Sequence, residues 1–175
     1  MRCKTTHPHY KAVRTWAYFD GPIRNAIHDL KYRKNIGLGA SLAQHLVSLF
    51  HQYNWTIDMI TPVPLGKERQ RQRGYNQAAL LAQPLAHELK LPYKPQILRR
   101  IRETKSQVEL SFVERQNNVK DAFQATHQGI QGKKILVVDD VATSGSTINA
   151  CADALMKVGT EAVIGLTLAR PAAPS

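Results

Sequence analysis

Two adjacent carboxylates, Asp139 and Asp140, follow the apolar run Ile135 to Val138. They precede a stretch of small residues built around one glycine, "ATSGST". Carboxylates placed side by side raise the cost of ionising one another. They become useful where they hold hydroxyl groups, or a hard cation that prefers oxygen ligands. The residues that follow complement them. Thr143, Ser144, Ser146 and Thr147 supply hydroxyls, and Gly145 lets the backbone come close to a ligand. A helix starting near Ser146 or Thr147 aims N–H groups and the positive end of its dipole at this loop. The stretch therefore reads as an anion cradle suited to a sugar phosphate, with hydroxyls on the carboxylates and phosphate in the loop. A turn with a helix cap would account for either aspartate alone. It does not account for apolar run, acidic pair, small-residue loop and helix in succession.

A second chemical stretch is "TPVPLGKERQRQRGYNQ", which places Lys67, Arg69, Arg71 and Arg73 within seven residues. Arginine forks match phosphate oxygens. On an extended backbone the alternating arginines share one side. Tyr75, Asn76 and Gln77 add a ring and two amides, a combination suited to single-stranded nucleic acid. A solvated basic loop explains the same residues equally well.

Two other acidic-strand chemistries fail on context. A phosphate loop of the Walker type ends in Gly-Lys-Ser/Thr, but Gly66-Lys67 is followed by Glu68. A receiver domain places its acidic pair after the first strand, whereas only 35 residues follow Asp140.

The elements that must position these groups can be read from periodicity. "AVRTWAYFDG" is strand-like and stops at Gly21-Pro22. "PIRNAIHDLKYR" has Ile23, Ile27 and Leu30 at helical spacing, and "LGASLAQHLVSLFHQY" repeats that pattern. "DMITPVP" reads as a short buried strand ended by prolines. "YNQAALLAQPLAHELK" is helical, with Pro84 expected to kink or split it. "QIL" suggests a further short strand, and residues 99–120 read as a long loop. "KKILVVDD" is a buried strand, "STINACADALMKVG" a helix closed by Gly159, and "EAVIGLTLAR" a last strand. Alternating strands and helices imply an α/β fold: a mostly parallel central sheet with helices on both faces. Ligands of such sheets bind at the carboxyl ends of strands.

With 175 residues, the chain has the length of one ordinary domain. No apolar run approaches the roughly 18–20 residues of a membrane span, and "MRCKTTHPHY" lacks the apolar centre of a secretory signal. No membrane insertion and a cytoplasmic location are expected. Cys3 and Cys151 form no spacing pattern, so no structural disulfide is expected. The formal net charge is +11 and unevenly placed: +6 over residues 1–34, +7 over 65–105 and −1 over 106–175. That imbalance favours anionic partners such as phosphorylated metabolites or nucleic acid.

"ILVVDDVATSGST" closely resembles the phosphoribosyl pyrophosphate (PRPP) motif of type I phosphoribosyltransferases. "GPIRNAIHDLKYR", "DMITPVPLGKERQRQRGYNQAALLA" and "LRRIRETKSQVELSFVERQNNVKDAF" extend the resemblance to the ComF (ComFC) competence family within that fold. It implies that Asp139 and Asp140 hold ribose hydroxyls and that the loop from Ala142 through Thr147 holds the 5-phosphate. Mg2+ would accompany PRPP and touch the two carboxylates indirectly. Pro62, Val63, Pro64 and Leu65 occupy the pyrophosphate-loop position. Arg99, Arg100, Arg102, Lys105 and Gln107 fall in the flexible loop that closes over the reacting centre, with Arg115 and Asn118 on the helix after it. The resemblance further implies natural transformation, single-stranded DNA as a partner, and proteins of the DNA-uptake machinery as others. The rival reading is a salvage phosphoribosyltransferase acting on a base or amine. ComF proteins commonly begin with a four-cysteine zinc module. Here Cys3 matches its last cysteine alone, and His7 and His9 cannot complete a tetrahedral site with it; no zinc is expected.

Overall fold

The computed structural model describes residues 8–102 and 118–172. In chain order the elements are β1 (Ala12–Tyr18), α1 (Gly21–Tyr32), α2 (Leu38–His51), β2 (Met59–Pro62), α3 (Lys67–Arg73) and α4 (Gln77–Glu88). There follow β3 (Leu98–Arg100), β4 (Phe123–Ala125), β5 (Lys134–Val141), α5 (Ser146–Met156) and β6 (Ala162–Arg170). A four-stranded sheet runs β1-β6-β5-β2 with every pairing parallel, and β3 and β4 form a separate antiparallel ladder.

The apolar run of β5 explains why it lies inside the sheet. Ile135 to Val138 are all fully buried. Alternation sends Leu136 and Val138 to one face, among residues of α1, α2 and α4. Ile135 and Val137 go to the other face, among residues of α5 and the β3–β4 ladder. Each fully buried side chain of this size stabilises the fold by about 1.5–3 kcal/mol. Helices thus cover both faces of the sheet, as the alternation of elements implied. Asp20 starts α1, its carboxylate accepting from the Gly21 N–H, with Pro22 in the first turn.

Three readings of the sequence need correction. Of the kink or split expected at Pro84, the split does not occur; α4 is continuous from Gln77 to Glu88. The cost of proline is the lost bond to the Leu80 carbonyl. That carbonyl lies where α2 comes nearest: a Cβ on Gly39 would stand 2.7 Å from Leu80 O. Glycine at 39 lets the two helices close over the position the proline leaves open.

The segment Lys67–Arg73 is helical rather than extended, running from Gly66 to a left-handed Gly74 (φ 85°). Residues two apart on a helix point to nearly opposite sides, so the alternating arginines do not share a face. Arg69 and Arg73, one turn apart, are half-buried on the inner side, while Lys67 and Arg71 are exposed. With no apolar residue in α3, no hydrophobic period announced the helix.

The "QIL" strand is displaced. Pro95–Ile97 form a 3-10 turn and the strand is Leu98–Arg100. β3 thus takes Arg99 and Arg100 from the start of the 99–120 loop, and β4, which pairs with it, lies beyond that loop where no strand was expected.

Candidate functional site

At the carboxyl ends of β2 and β5 the elements part to leave a cleft of about 710 Å³, floored by Asp139 and Asp140. The two aspartates are consecutive on a strand, so their side chains diverge. Asp140 turns toward α1 and α4. Its Oδ2 is ion-paired with Lys31 Nζ, and its Oδ1 accepts from Gln77 Nε2 at 3.1 Å. Asp139 lies on the α5 side, in register with Thr167 of β6, and its Oδ1 accepts the Asp140 N–H at 2.9 Å.

Both carboxylates are nearly sealed from solvent, 9% and 3% exposed, and their surroundings push them apart electrostatically. Burial, and then the Asp140 charge, hold Asp139 well above the ordinary carboxylate range, with Lys31 opposing. Burial acts on Asp140 as well, but the Lys31 charge and the bonds from Lys31 and Gln77 outweigh it and hold Asp140 low. Asp140 is thus the fixed anion of the pair and Asp139 the one that resists ionisation. Cys151, on the buried face of α5, has its thiol raised by burial and by Asp139. It packs; it is not poised as a nucleophile.

The loop after β5 is pinned at its start by the Ala142 N–H bonding to Ala169 O at 2.9 Å. Gly145 takes a left-handed φ of 75° and caps α5, its carbonyl accepting from the Asn149 N–H. Ser144 Oγ accepts from the Ser146 N–H at 3.3 Å and shares a 2.9 Å hydrogen bond with Ser146 Oγ. Thr143 and Thr147 line the cleft. Tyr10 lies over this turn: a Cβ at Gly145 would sit 3.3 Å from its hydroxyl.

The opposite wall comes from the end of β2. The Val63 N–H bonds to Val138 O at 2.8 Å, and the Val63 carbonyl accepts from Asn76 Nδ2 at 2.9 Å. Val63, Pro64 and Leu65 line the cleft; Pro62 is the last residue of β2 and is buried. Asn76 also caps α4 through the Ala78 N–H. Tyr75 is half-buried and its hydroxyl donates to the Leu30 carbonyl of α1. Gln77 is buried, linking Asp140 to Arg73, whose Nη1 donates to Gln77 Oε1. The ring and two amides that follow α3 therefore point inward and brace the cleft. Arg69 and Arg73 line the cleft with them, and the Arg73 guanidinium lies 5.5 Å from the centre of the exposed Tyr32 ring.

The flexible-loop residues separate. Arg100 lines the cleft, its guanidinium 5.7 Å from the Phe123 ring centre. Arg99, next on the strand, points away and is bonded twice to Gln124 Oε1, at 2.6 and 3.0 Å. Arg102 is exposed and donates to the carbonyls of Asn118 and Lys120. Lys105, Gln107 and Arg115 lie outside the described residues, as do Cys3 and His7. His9 is described: its N–H bonds to Asn149 Oδ1 at 2.8 Å and its ring faces Asp153 at 3.7 Å.

Lys31 is the site residue that motif reading missed. A signal was present, because Ile27 and Leu30 mark the buried side of α1 and Lys31 follows Ile27 by one turn. A lysine on the inward edge of an amphipathic helix needs an anionic partner, and Asp140 is that partner.

The chain is similar to known proteins over most of its length. Residues 75–174 match the phosphoribosyl transferase domain model. DNA utilization protein YhgH of Salmonella typhi is 34% identical over 167 residues, covering 93% of this chain and 73% of that protein. Competence protein F of Haemophilus influenzae is 31% identical over 175 residues, covering 96% of this chain and 76% of that protein. Among solved structures, glutamine PRPP amidotransferase from B. subtilis aligns with a TM-score of 0.46 at 22% identity, over 78% of this chain and 26% of that one. The chain thus belongs to the phosphoribosyl transferase domain family, in the branch that holds YhgH and the competence proteins F and ComFC.

Proposed function

We propose that this protein serves DNA utilisation or competence in the cytoplasm, as the names of its relatives indicate for them, and that its cleft binds Mg-PRPP. The observation that carries the ligand reading is the diverging pair Asp139 and Asp140, continuous with a hydroxyl-rich loop whose glycine caps α5. Asp140 and Asp139 accept ribose hydroxyls, and the Thr143 to Thr147 loop takes the 5-phosphate. Arg69, Arg73 and Arg100 offer guanidinium forks to the pyrophosphate from the cleft walls.

The donor set suits Mg2+ held indirectly. One Asp140 oxygen is ion-paired to Lys31 and the other is bonded to Gln77, so it is already neutralised against direct coordination. The remaining carboxylate capacity suits ligand hydroxyls and metal-bound water. When bound, Mg2+ neutralises charge on the pyrophosphate.

A single strand of DNA is the second ligand in this reading. The net charge of +11 supports it, and the outward Lys67 and Arg71 of α3 add to the attraction. Partners among the DNA-uptake proteins belong to the same proposal.

Calorimetric titration with Mg-PRPP is the test. The parent should bind, and Asp139→Asn with Asp140→Asn should lose at least about a hundredfold in affinity, the loss of about two charge-assisted hydrogen bonds. Equal binding by the double variant would remove the site assignment. Product formation from PRPP and a panel of nucleobases would instead favour base salvage.

A further inference from the structure

Among the described residues β1 is an edge strand, paired with β6 along one side. Its side chains alternate. Val13, Thr15 and Ala17 are half-buried, while Arg14, Trp16 and Tyr18 stand exposed on the opposite face. Trp16 is 37% and Tyr18 55% exposed, and neither belongs to the apolar clusters of the core.

Each is matched with a ring or a cation. Trp16 is stacked on the His45 imidazole of α2, centroids 3.9 Å apart and planes 15° from parallel. The Arg14 guanidinium lies 5.1 Å from the Tyr53 ring centre, and Tyr53 is itself stacked on Trp55. Arg170, in register with Tyr18 on β6, lies 5.3 Å from the Tyr18 ring. Along about 13 Å of β1, at about 3.3 Å per residue, the face reads cation, ring, ring, with a second cation beside the last ring on β6.

The strand and the segments packed beside it carry one sign of charge, the exposed Asp20 being the first carboxylate beyond Tyr18. No Asp or Glu occurs from Met1 to Phe19, from Leu30 to Ile57, or after Glu161, the segments that supply this face. Charged residues on an edge strand keep other chains from pairing with it. That accounts for Arg14, but not for two exposed rings beside it. A second copy of the same chain would bring like charge against like charge.

We propose that this face is a stacking platform for single-stranded nucleic acid. Bases lie on Trp16 and Tyr18, and Arg14 and Arg170 meet the flanking phosphates. The platform rests on the reading that the protein binds single strands, and it sets the stacking surface on β1, whose carboxyl end adjoins the cleft through Phe19 and Pro171. The Tyr75 ring beside α3 is turned inward and tied to Leu30, so it is not the stacking residue. Stacking on exposed rings tolerates every base, and it is denied to a duplex whose base faces are covered.

The protein has two tryptophans, so Trp55→Phe leaves Trp16 as the lone reporter. Titrated with oligo(dT), that variant should lose emission by quenching; a duplex of equal length should leave it bright. Arg14→Gln with Arg170→Gln should weaken oligo(dT) binding about tenfold and flatten the log–log salt slope by about 1.4, at about 0.7 per phosphate. Trp16→Ala should cost about tenfold through the lost stack. The arginine variants alter exposed side chains, and circular dichroism melts check that they fold. If the Trp55→Phe variant binds oligo(dT) without quenching of Trp16, and the arginine variant keeps its salt slope, the platform is overturned while single-strand binding stands. If the parent does not bind oligo(dT), both fall. If Trp16→Ala abolishes a sedimenting dimer and leaves oligo(dT) affinity unchanged, the face belongs to a second copy and the platform is overturned.

Discussion

The cleft at the end of β5 and the outer face of β1 both handle charge, one under cover and one in the open. In the cleft, opposite charges meet out of water. Lys31 and Asp140 pair with side chains 23% and 4% exposed, and Gln77 occupies the remaining carboxylate oxygen. On β1, like charges stand in solvent beside rings. Buried pairs are sensitive to the removal of either member, because the survivor is left charged and unpaired. Exposed cations are individually weak and strongly screened by salt. Substitutions in the cleft should therefore act on folding and on a geometry-bound small ligand, and those on β1 on salt-dependent binding alone.

The largest break between the two regions should come from Lys31→Met. It leaves the Asp140 carboxylate without its cation, beside Asp139. Because Lys31 is partly exposed, the loss should be about 2–3 kcal/mol, below the roughly 3–5 kcal/mol of fully buried pairs. Urea unfolding measures it. Arg14→Met on the open face should change stability by less than about 0.5 kcal/mol. Adding Asp140→Asn to Lys31→Met should recover most of the loss. Equal midpoints for Lys31→Met and the parent would mean that the cleft pair is not an electrostatic unit.

Gly145→Val should separate the regions by ligand. A β-branched residue at φ 75° is strained by about 1–2 kcal/mol, and its Cβ would press on the Tyr10 hydroxyl. Affinity for Mg-PRPP should fall about tenfold while oligo(dT) affinity holds. A drop in both, measured by titration of the same preparation, would show that the two surfaces are coupled.

The smallest effect, and the one that sharpens the cleft's own asymmetry, is Asp139→Asn across pH. The Asp139 carboxyl titrates above its ordinary value in the fold, so the native state holds that proton more tightly than the unfolded chain. Its contribution to stability is complete below the ordinary carboxylate value and is lost as pH rises through the folded one. Asn keeps the neutral shape at every pH. The variant should melt with the parent in acid and above it near neutrality. A variant that melts lower at neutral pH would mean that the ionised Asp139 is stabilised, against the direction assigned to it.

The cleft and the β1 face also differed in how far they could be read from residues alone. Ile135 to Val138, Asp139, Asp140 and Gly145 declare a buried strand, its end and a tight turn within eleven residues, because each type has a narrow range of uses. The order of strands and helices was legible for the same reason: apolar period is a local signal. Three features were not local. Lys31 reaches Asp140 across more than a hundred residues. The bracing by Tyr75, Asn76 and Gln77 needs α1 and β2 to be in place. In α3, a helix without an apolar residue is indistinguishable from a basic loop until its glycine ends are seen closing it. The row on β1 was half legible: Trp16 and Tyr18 alternate in the sequence, but His45, Tyr53 and Arg170 come from three other places.

The pairing of β1 with β6 bears on how the chain acquires its fold during synthesis. Thr15 and Thr167, hydrogen-bonded across that pair, are 152 positions apart. At about 5–20 residues per second, the ribosome extends the chain for about 8–30 s after β1 has emerged before its partner strand exists. Through that interval β1 has neither β6 beside it nor β5 beyond, and its two rings are offered to whatever is near. Closing so long a loop is slow for the same reason that distant pairings slow folding in general. The nascent chain would thus be exposed at one defined strand, and a holdase that recognises aromatic and basic segments would find its target there, before the cleft has formed.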